Sequence, residues 1–275
     1  MWHLTLKMQR SISSEDNVKI YKDTKRSAPA IDSPSIKCRL RTHSSSTIKQ
    51  STQIEVDVIN ADTLDAAYLL KTERPLVMNL ADNVSPGGCV DVGACSQEEC
   101  LFRRTNLFKS LVANMYPIRI NEAIYSPSIT VFKQGENEHY APLGVSSYKV
   151  DFIACPGLRY PKLCEGHLTP NDIETLKNKI RLIFQVCETY GHTTLVAGAL
   201  GCGEWHNPPA DVAQVFKQII SEHAAHGTTV NRIVFAILRP KGVYNPNLNN
   251  DNLQVFKQIL CSWWVALLWI CFYTL

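Results

Sequence analysis

The sequence predicts an α/β fold, a sandwich of helices about a mainly parallel central sheet. Three observations predict it. Short apolar runs that read as strands alternate with helical stretches through residues 53–260. The run RPLVMNLA is apolar on both sides, as a strand covered by helices on both faces must be. Two of the strands lead into helices through glycine-rich loops, and sheets of this kind bind ligands in loops at the carboxyl ends of their strands.

The elements follow in chain order. QIEVDVIN (53–60) reads as a strand and ADTLDAAYLLK (61–71) as the helix after it. RPLVMNLA (74–81) is the next strand and opens into the loop DNVSPGGCVDVGACS (82–96). A helix is expected from Gln97 to Asn114. IYSPSITVF (124–132), YKVDFIACP (148–156), TTLVAGAL (193–200) and RIVFAIL (232–238) read as further strands, with helices at 171–190 and 208–225 separating the last ones. There is no internal repeat.

Composition sets the outer limits. The chain has 275 residues, 45% hydrophobic and 19% charged, which excludes a collagenous, coiled-coil or wholly disordered protein. The net charge of +3 is too small to argue for nucleic acid, and no stable nucleic-acid partner is expected. Residues 1–52 are rich in Ser, Thr and basic side chains. Within the first 50, ten basic and four acidic residues leave a net +6. This segment reads as a basic, partly disordered arm, with RTHSSSTIKQST as a linker, ahead of a catalytic-size domain at 53–260.

The start of the chain has no long apolar core of a secretory signal, so an intracellular setting, cytoplasmic or nuclear, with free thiols is expected. None of the ten cysteines shows C-x-x-C spacing, and no metal site is expected. The tail at 261–275, CSWWVALLWICFYTL, carries no charge but is shorter than the roughly 20 apolar residues of a spanning helix. It reads as a terminal helix packed on the body, with membrane association or a partner-binding face as the alternatives.

Two loops carry the chemistry. In the first, Gly87 and Gly88 let the backbone approach a ligand and turn its N–H groups inward. Gln97, Glu98 and Glu99 then open a helix, whose N-terminus is a ready anion site. Adjacent carboxylates in a first turn also complement the helix dipole, and for a lone Glu-Glu that explanation suffices. Here the pair follows a glycine loop. Successive helical residues project about 100° apart, so the two carboxylates need not share a task. One suits sugar hydroxyls, and the other suits a general acid.

The second loop, Gly198 to Pro209, offers Gly201, Cys202 and Gly203 for a diphosphate and the ring of Trp205 to cover a sugar or base. Neither loop matches a lysine-bearing phosphate loop or a G-x-G-x-x-G fingerprint, which disfavours a kinase or a dinucleotide dehydrogenase.

At these residues the sequence resembles the microbial-type poly(ADP-ribose) glycohydrolases, which have a macrodomain-like fold. The family signature is three glycines, a spacer of six to eight residues and Gln-Glu-Glu. Here it reads Gly87-Gly88-Cys89, a spacer, then Gln97-Glu98-Glu99. VMNLADNVSPGG, QEECLFRRTNLFKSL, VDFIACPG and LVAGALGCGEWHNPPADVAQVF continue the likeness in family order, over roughly residues 55–260.

The resemblance implies a three-layer α/β/α sandwich with a mixed, mainly parallel sheet. It implies hydrolysis of ribose–ribose O-glycosidic bonds in poly(ADP-ribose), with ADP-ribose as product and polymer or ADP-ribosylated protein as substrate. Glu99 would be the general acid and Glu98 the residue that orients the ribose. Asn79 would help position the sugar, and the glycines would wrap the diphosphate. No cofactor is implied. A mono-ADP-ribosyl hydrolase, acting on protein or nucleic acid, and a non-catalytic ADP-ribose reader are the alternatives.

Cys89 stands where the family has its third glycine. Should that position need φ > 0, a side chain there would cost roughly 1 kcal/mol or more. Phe108 lacks the hydroxyl of the tyrosine common at its position.

Overall fold

A computed structural model describes residues 12–41, 51–239 and 251–261. Its largest sheet has seven strands, in the order β1-β4-β5-β3-β8-β9-β2. These are β1 (Ile36–Arg39), β2 (Glu55–Ile59), β3 (Leu76–Asn79), β4 (Glu122–Val131), β5 (Tyr148–Ala154), β8 (Thr194–Ala197) and β9 (Arg232–Ala236). The short β6 (Leu163–Cys164) and β7 (His167–Leu168) form a separate pair. From β5 to β2 the neighbours run parallel, while β4 and β1 are antiparallel at one edge. The sheet is thus mixed and mainly parallel, as expected.

Among the described residues six α-helices cover the sheet. α1 (Ser14–Ser27), α2 (Thr63–Leu69) and α3 (Gln97–Arg104) bury Tyr21, Leu64 and Phe102 against one face, around Val77 and Phe152. α4 (Pro170–Tyr190), α5 (Pro209–His226) and α6 (Asn252–Leu260) bury Phe184, Phe216 and Phe256 against the other, around Met78 and Phe235. The alternation of Val77 and Met78 between the two cores is the period-2 geometry of a strand. β3 is buried along its whole length, in keeping with its central place.

Two stretches of the supposed arm belong to the folded body. α1 is capped by Ser13, whose hydroxyl accepts from the Asp16 N–H. Its Tyr21 packs on Phe102 and edge-on to Phe108. Its buried Thr24 donates to the Arg103 carbonyl at 2.8 Å and receives Lys133 Nζ at 2.8 Å. Asn17 Nδ2 donates to the Gly93 carbonyl at 3.2 Å. Composition misleads here because two of the three buried residues of α1 are polar, Asn17 and Thr24. β1 pairs with β4 and extends the sheet. At the end of β1 its open side is capped by Gln185 of α4: its Oε1 accepts from the Arg41 N–H at 2.8 Å, and its Nε2 donates to the Arg39 carbonyl at 3.0 Å. Residues 1–11, most of the linker and the tail beyond Cys261 lie outside the described residues.

α3 also departs from expectation, ending at Arg104 rather than Asn114. Thr105 bridges to Val131. Asn106 exchanges hydrogen bonds with Thr130, giving its N–H to the Thr130 carbonyl at 3.2 Å and accepting the Thr130 N–H on Oδ1 at 2.8 Å. The end of β4 captures the chain before the helix can continue.

The five parallel strands end at the same edge of the sheet. The segments that follow them, including residues 60–63, Asp82, residues 157–160, the 199–205 loop and residues 236–239, line one cleft of about 1250 Å³. Among the described residues no helix is long and apolar enough to cross a membrane.

Candidate active site

Helix α3 begins at the cleft, and its first three residues face three ways. Gln97 is tied to β3: its Oε1 accepts the Leu80 N–H at 2.9 Å, and its Nε2 donates to the Met78 carbonyl at 2.7 Å and to Thr63 Oγ1 at 3.2 Å. Glu98 accepts from Asn79 Nδ2 at 3.1 Å and from the Asp82 N–H at 2.7 Å. Glu99 accepts the Cys89 N–H on Oε1 at 3.1 Å, while its Oε2 has no hydrogen-bond partner.

Both carboxyl groups are buried. Burial pushes the Glu98 carboxyl up to about 8. The Asp82 N–H and the Asn79 amide oppose that rise, and the charge of Glu99 adds to it.

The glycine pair lets the carboxylates lie where they do. Gly87 and Gly88 have φ of +77° and +54°, a conformation that favours glycine. A Cβ on Gly87 would overlap the ring of Phe102, and one on Gly88 would come within 2.7 Å of Glu99 Oε1. Cys89 differs: its φ is −103°. The third position of the signature needs no glycine here, and the anticipated strain is absent. The thiol is exposed at the cleft, and only the main chain of Cys89 holds Glu99.

The second loop is fixed by Asn207. Its Nδ2 donates to the carbonyls of Leu158 at 2.6 Å and Gly201 at 3.0 Å. Gly201 has φ +72° and packs closely on Gly157 and Asn207. Gly203 stands in open space.

The structure brings Gly88, Cys89, Gln97, Glu98, Glu99, Gly201, Gly203 and Trp205 together around the cleft. The other three do not line the cleft. Asn79 is fully buried behind Glu98 and acts by holding it. Gly87 is packed beneath the loop on Phe102. Cys202 spends its N–H on the Ala199 carbonyl and leans its side chain on the core. Gln97 lies in the wall, but both ends of its amide are held by the protein.

Several cleft residues were missed. Asp82 gives its N–H to Glu98 and accepts the Val84 and Ser85 N–H groups at 2.7 and 2.8 Å, shaping the turn. Arg104 is buried between Asp62 and Asp65. Arg159 and Tyr160 follow β5, and their signal was the polar LRYP directly after the apolar run FIACPG. No group of three or more His, Cys, Asp or Glu among the described residues is placed to hold a metal ion.

Fold and site together define a class: a macrodomain-like α/β/α sandwich with paired carboxylates behind a glycine loop at the strand ends. Comparison with known proteins narrows it. Residues 5–134, which include Gly87-Gly88 and Gln97-Glu98-Glu99, match the family model described as the microbial-type PARG catalytic domain. The fold is similar to the poly(ADP-ribose) glycohydrolase of Thermomonospora curvata (TM-score 0.69, 22% identity, 89% of this chain and 98% of that one). It is also similar to that of Deinococcus radiodurans solved in complex with ADP-ribose (TM-score 0.63, 24% identity, 91% and 93%). A second Thermomonospora curvata structure, bound to the inhibitor ADP-HPD, gives a TM-score of 0.67 at 22% identity, covering 89% and 98%. No curated protein sequence matches the chain.

Proposed function

We propose that the protein is a poly(ADP-ribose) glycohydrolase, cleaving ribose–ribose O-glycosidic bonds of the polymer and releasing ADP-ribose. One observation carries the reading. Of two buried, adjacent carboxyl groups, Glu98 has both oxygens held by protein donors, while Glu99 keeps Oε2 without a partner behind the glycine pair.

The division of labour follows from that geometry. Glu99 Oε2 is the oxygen able to protonate the leaving ribose as positive charge develops on the cleaved sugar. The same oxygen then takes a proton from the attacking water. Glu98 is fixed and orients the ribose hydroxyls. Burial raises its pKa to about 8 and so favours its neutral form. The 199–205 loop holds the diphosphate, and Trp205 covers the terminal ribose. The setting is intracellular, cytoplasmic or nuclear, consistent with the free thiols of the described cysteines.

The test is release of ADP-ribose from poly(ADP-ribosyl)ated protein. Wild type is expected to release it, and Glu99→Gln to bind ADP-ribose while releasing none. Cleavage of single ADP-ribose units from protein with the polymer left intact would replace this reading by a mono-ADP-ribosyl hydrolase. Binding without release from either substrate would replace it by a reader.

A further inference from the structure

We propose that Arg159 holds a phosphate of the polymer unit adjoining the scissile ribose, and so favours polymer over a single ADP-ribose unit. The inference rests on the reading of the cleft as a glycohydrolase site and deepens it.

Nine carboxylate side chains line the cleft against three arginines, an awkward balance for a polyanionic substrate. Arg104 is buried with its two arms on Asp62 and Asp65. Arg239 is paired with Asp251 at 2.7 Å. Arg159 is held differently. Its Nη1 lies 3.7 Å from Asp82 and 3.4 Å from Asn83 Oδ1, and its side chain is 48% exposed. Long, hydrated contacts of this kind yield easily to a better anion. Of the cleft's three arginines it alone combines exposure with loose pairing.

The platform beneath it is rigid. Asn207 pins the Leu158 carbonyl, and Gly157 packs so closely on Gly201 that a Cβ would not fit. Tyr160 takes φ +47° and reaches Glu204 with its hydroxyl at 3.4 Å. A loosely paired guanidinium therefore stands on a backbone fixed to the second loop and reaches the first through Asp82 and Asn83. It lies 5.9 Å from the ring centre of Trp205.

Position supplies the specificity. Arg159 follows β5, on one flank of β3, whereas the diphosphate loop follows β8 on the other flank. Arg239 follows β9, three strand spacings from β5, or about 14 Å at the usual separation. With the scissile sugar at Glu99 and the diphosphate on the 199–205 loop, as proposed above, the terminal ADP-ribose extends from β3 across β8 toward β9. The rest of the polymer then leaves on the β5 flank, past Arg159. A guanidinium fork suits a phosphate there, and Asp82 holds the fork when no substrate is bound.

The experiment compares wild type, Arg159→Gln and Arg159→Lys on poly(ADP-ribose) and on protein carrying single ADP-ribose units, with free ADP-ribose binding and Tm measured alongside. Arg159→Gln is expected to raise KM for polymer about tenfold and to flatten its salt dependence, with kcat, ADP-ribose affinity and Tm unchanged. Arg159→Lys should recover part of the loss. An equal loss of free ADP-ribose affinity would place Arg159 inside the product pocket and overturn the proposal, as would an unchanged KM for polymer. Should wild type cleave no polymer, the catalytic reading fails by itself. Polymer binding to Glu99→Gln, with and without Arg159→Gln, still decides the role of Arg159.

Discussion

The loop after β3 and the loop after β8 both carry a buried strand into a helix through glycines, yet they use space differently. In the first, both glycines are crowded by what lies beneath them, Phe102 under Gly87 and the Glu99 carboxylate under Gly88. In the second, Gly201 is crowded by Asn207 and Gly157, while Gly203 has nothing near it. Charged side chains are brought into the first loop by the helix that follows. The second is shaped by one neutral side chain, Asn207, bonded to main chain. One loop therefore places reacting groups, and the other offers shape.

Each difference can be tested, beginning with the largest effect. Glu99→Gln should lower polymer hydrolysis by about three orders of magnitude, the middle of the range for general acid–base catalysis, and leave ADP-ribose affinity within about twofold. Gly88→Ala forces a Cβ into a left-handed position and onto Glu99. It should cost about a hundredfold in kcat/KM. Gly203→Ala should cost less than about threefold, since its Cβ meets open space. Equal losses at the two glycines would dissolve the distinction between the loops.

The pH dependence of stability probes the first loop alone. The folded pKa of Glu98 lies above its unfolded value, so the folded state binds the proton more tightly. The associated stability is present below the unfolded value of 4.5 and is lost as pH rises through about 8. Glu98→Gln cannot ionise. Its Tm should therefore gain on that of wild type as pH is raised from about 5 to about 9, read by calorimetry. A variant Tm that falls relative to wild type over that window would contradict the burial of Glu98. The smallest effect belongs to Cys89→Gly. The main-chain bond to Glu99 survives, so rates should stay within about twofold, with up to about 1 kcal/mol lost to backbone entropy in urea unfolding. A large gain in rate would mean that the thiol obstructs substrate.

What could be read in advance divides along the same line. The central strands and the glutamate pair were legible because apolar period and glycine punctuation are local signals. Asn79 was placed in the site but not in its role, since only the folded structure shows it behind Glu98. α1 was hidden because it buries Asn17 and Thr24 rather than an apolar stripe. The length of α3 was misjudged because its end is set by Thr130 and Val131, partners distant in sequence. Arg159 and Asn207 join the site only through the pairing of β3 with β5 and β8, which no local pattern encodes.

Gln185 stands at the open edge of the sheet. A sheet edge ordinarily offers its peptide groups to any strand that comes by, including one from another copy of the same chain. At β1 a single side chain impersonates the missing neighbour, giving and accepting as a peptide would. Gln185 therefore takes two of the peptide groups through which another strand would join the end of β1. Its loss would first be noticed as turbidity rather than as a slower enzyme.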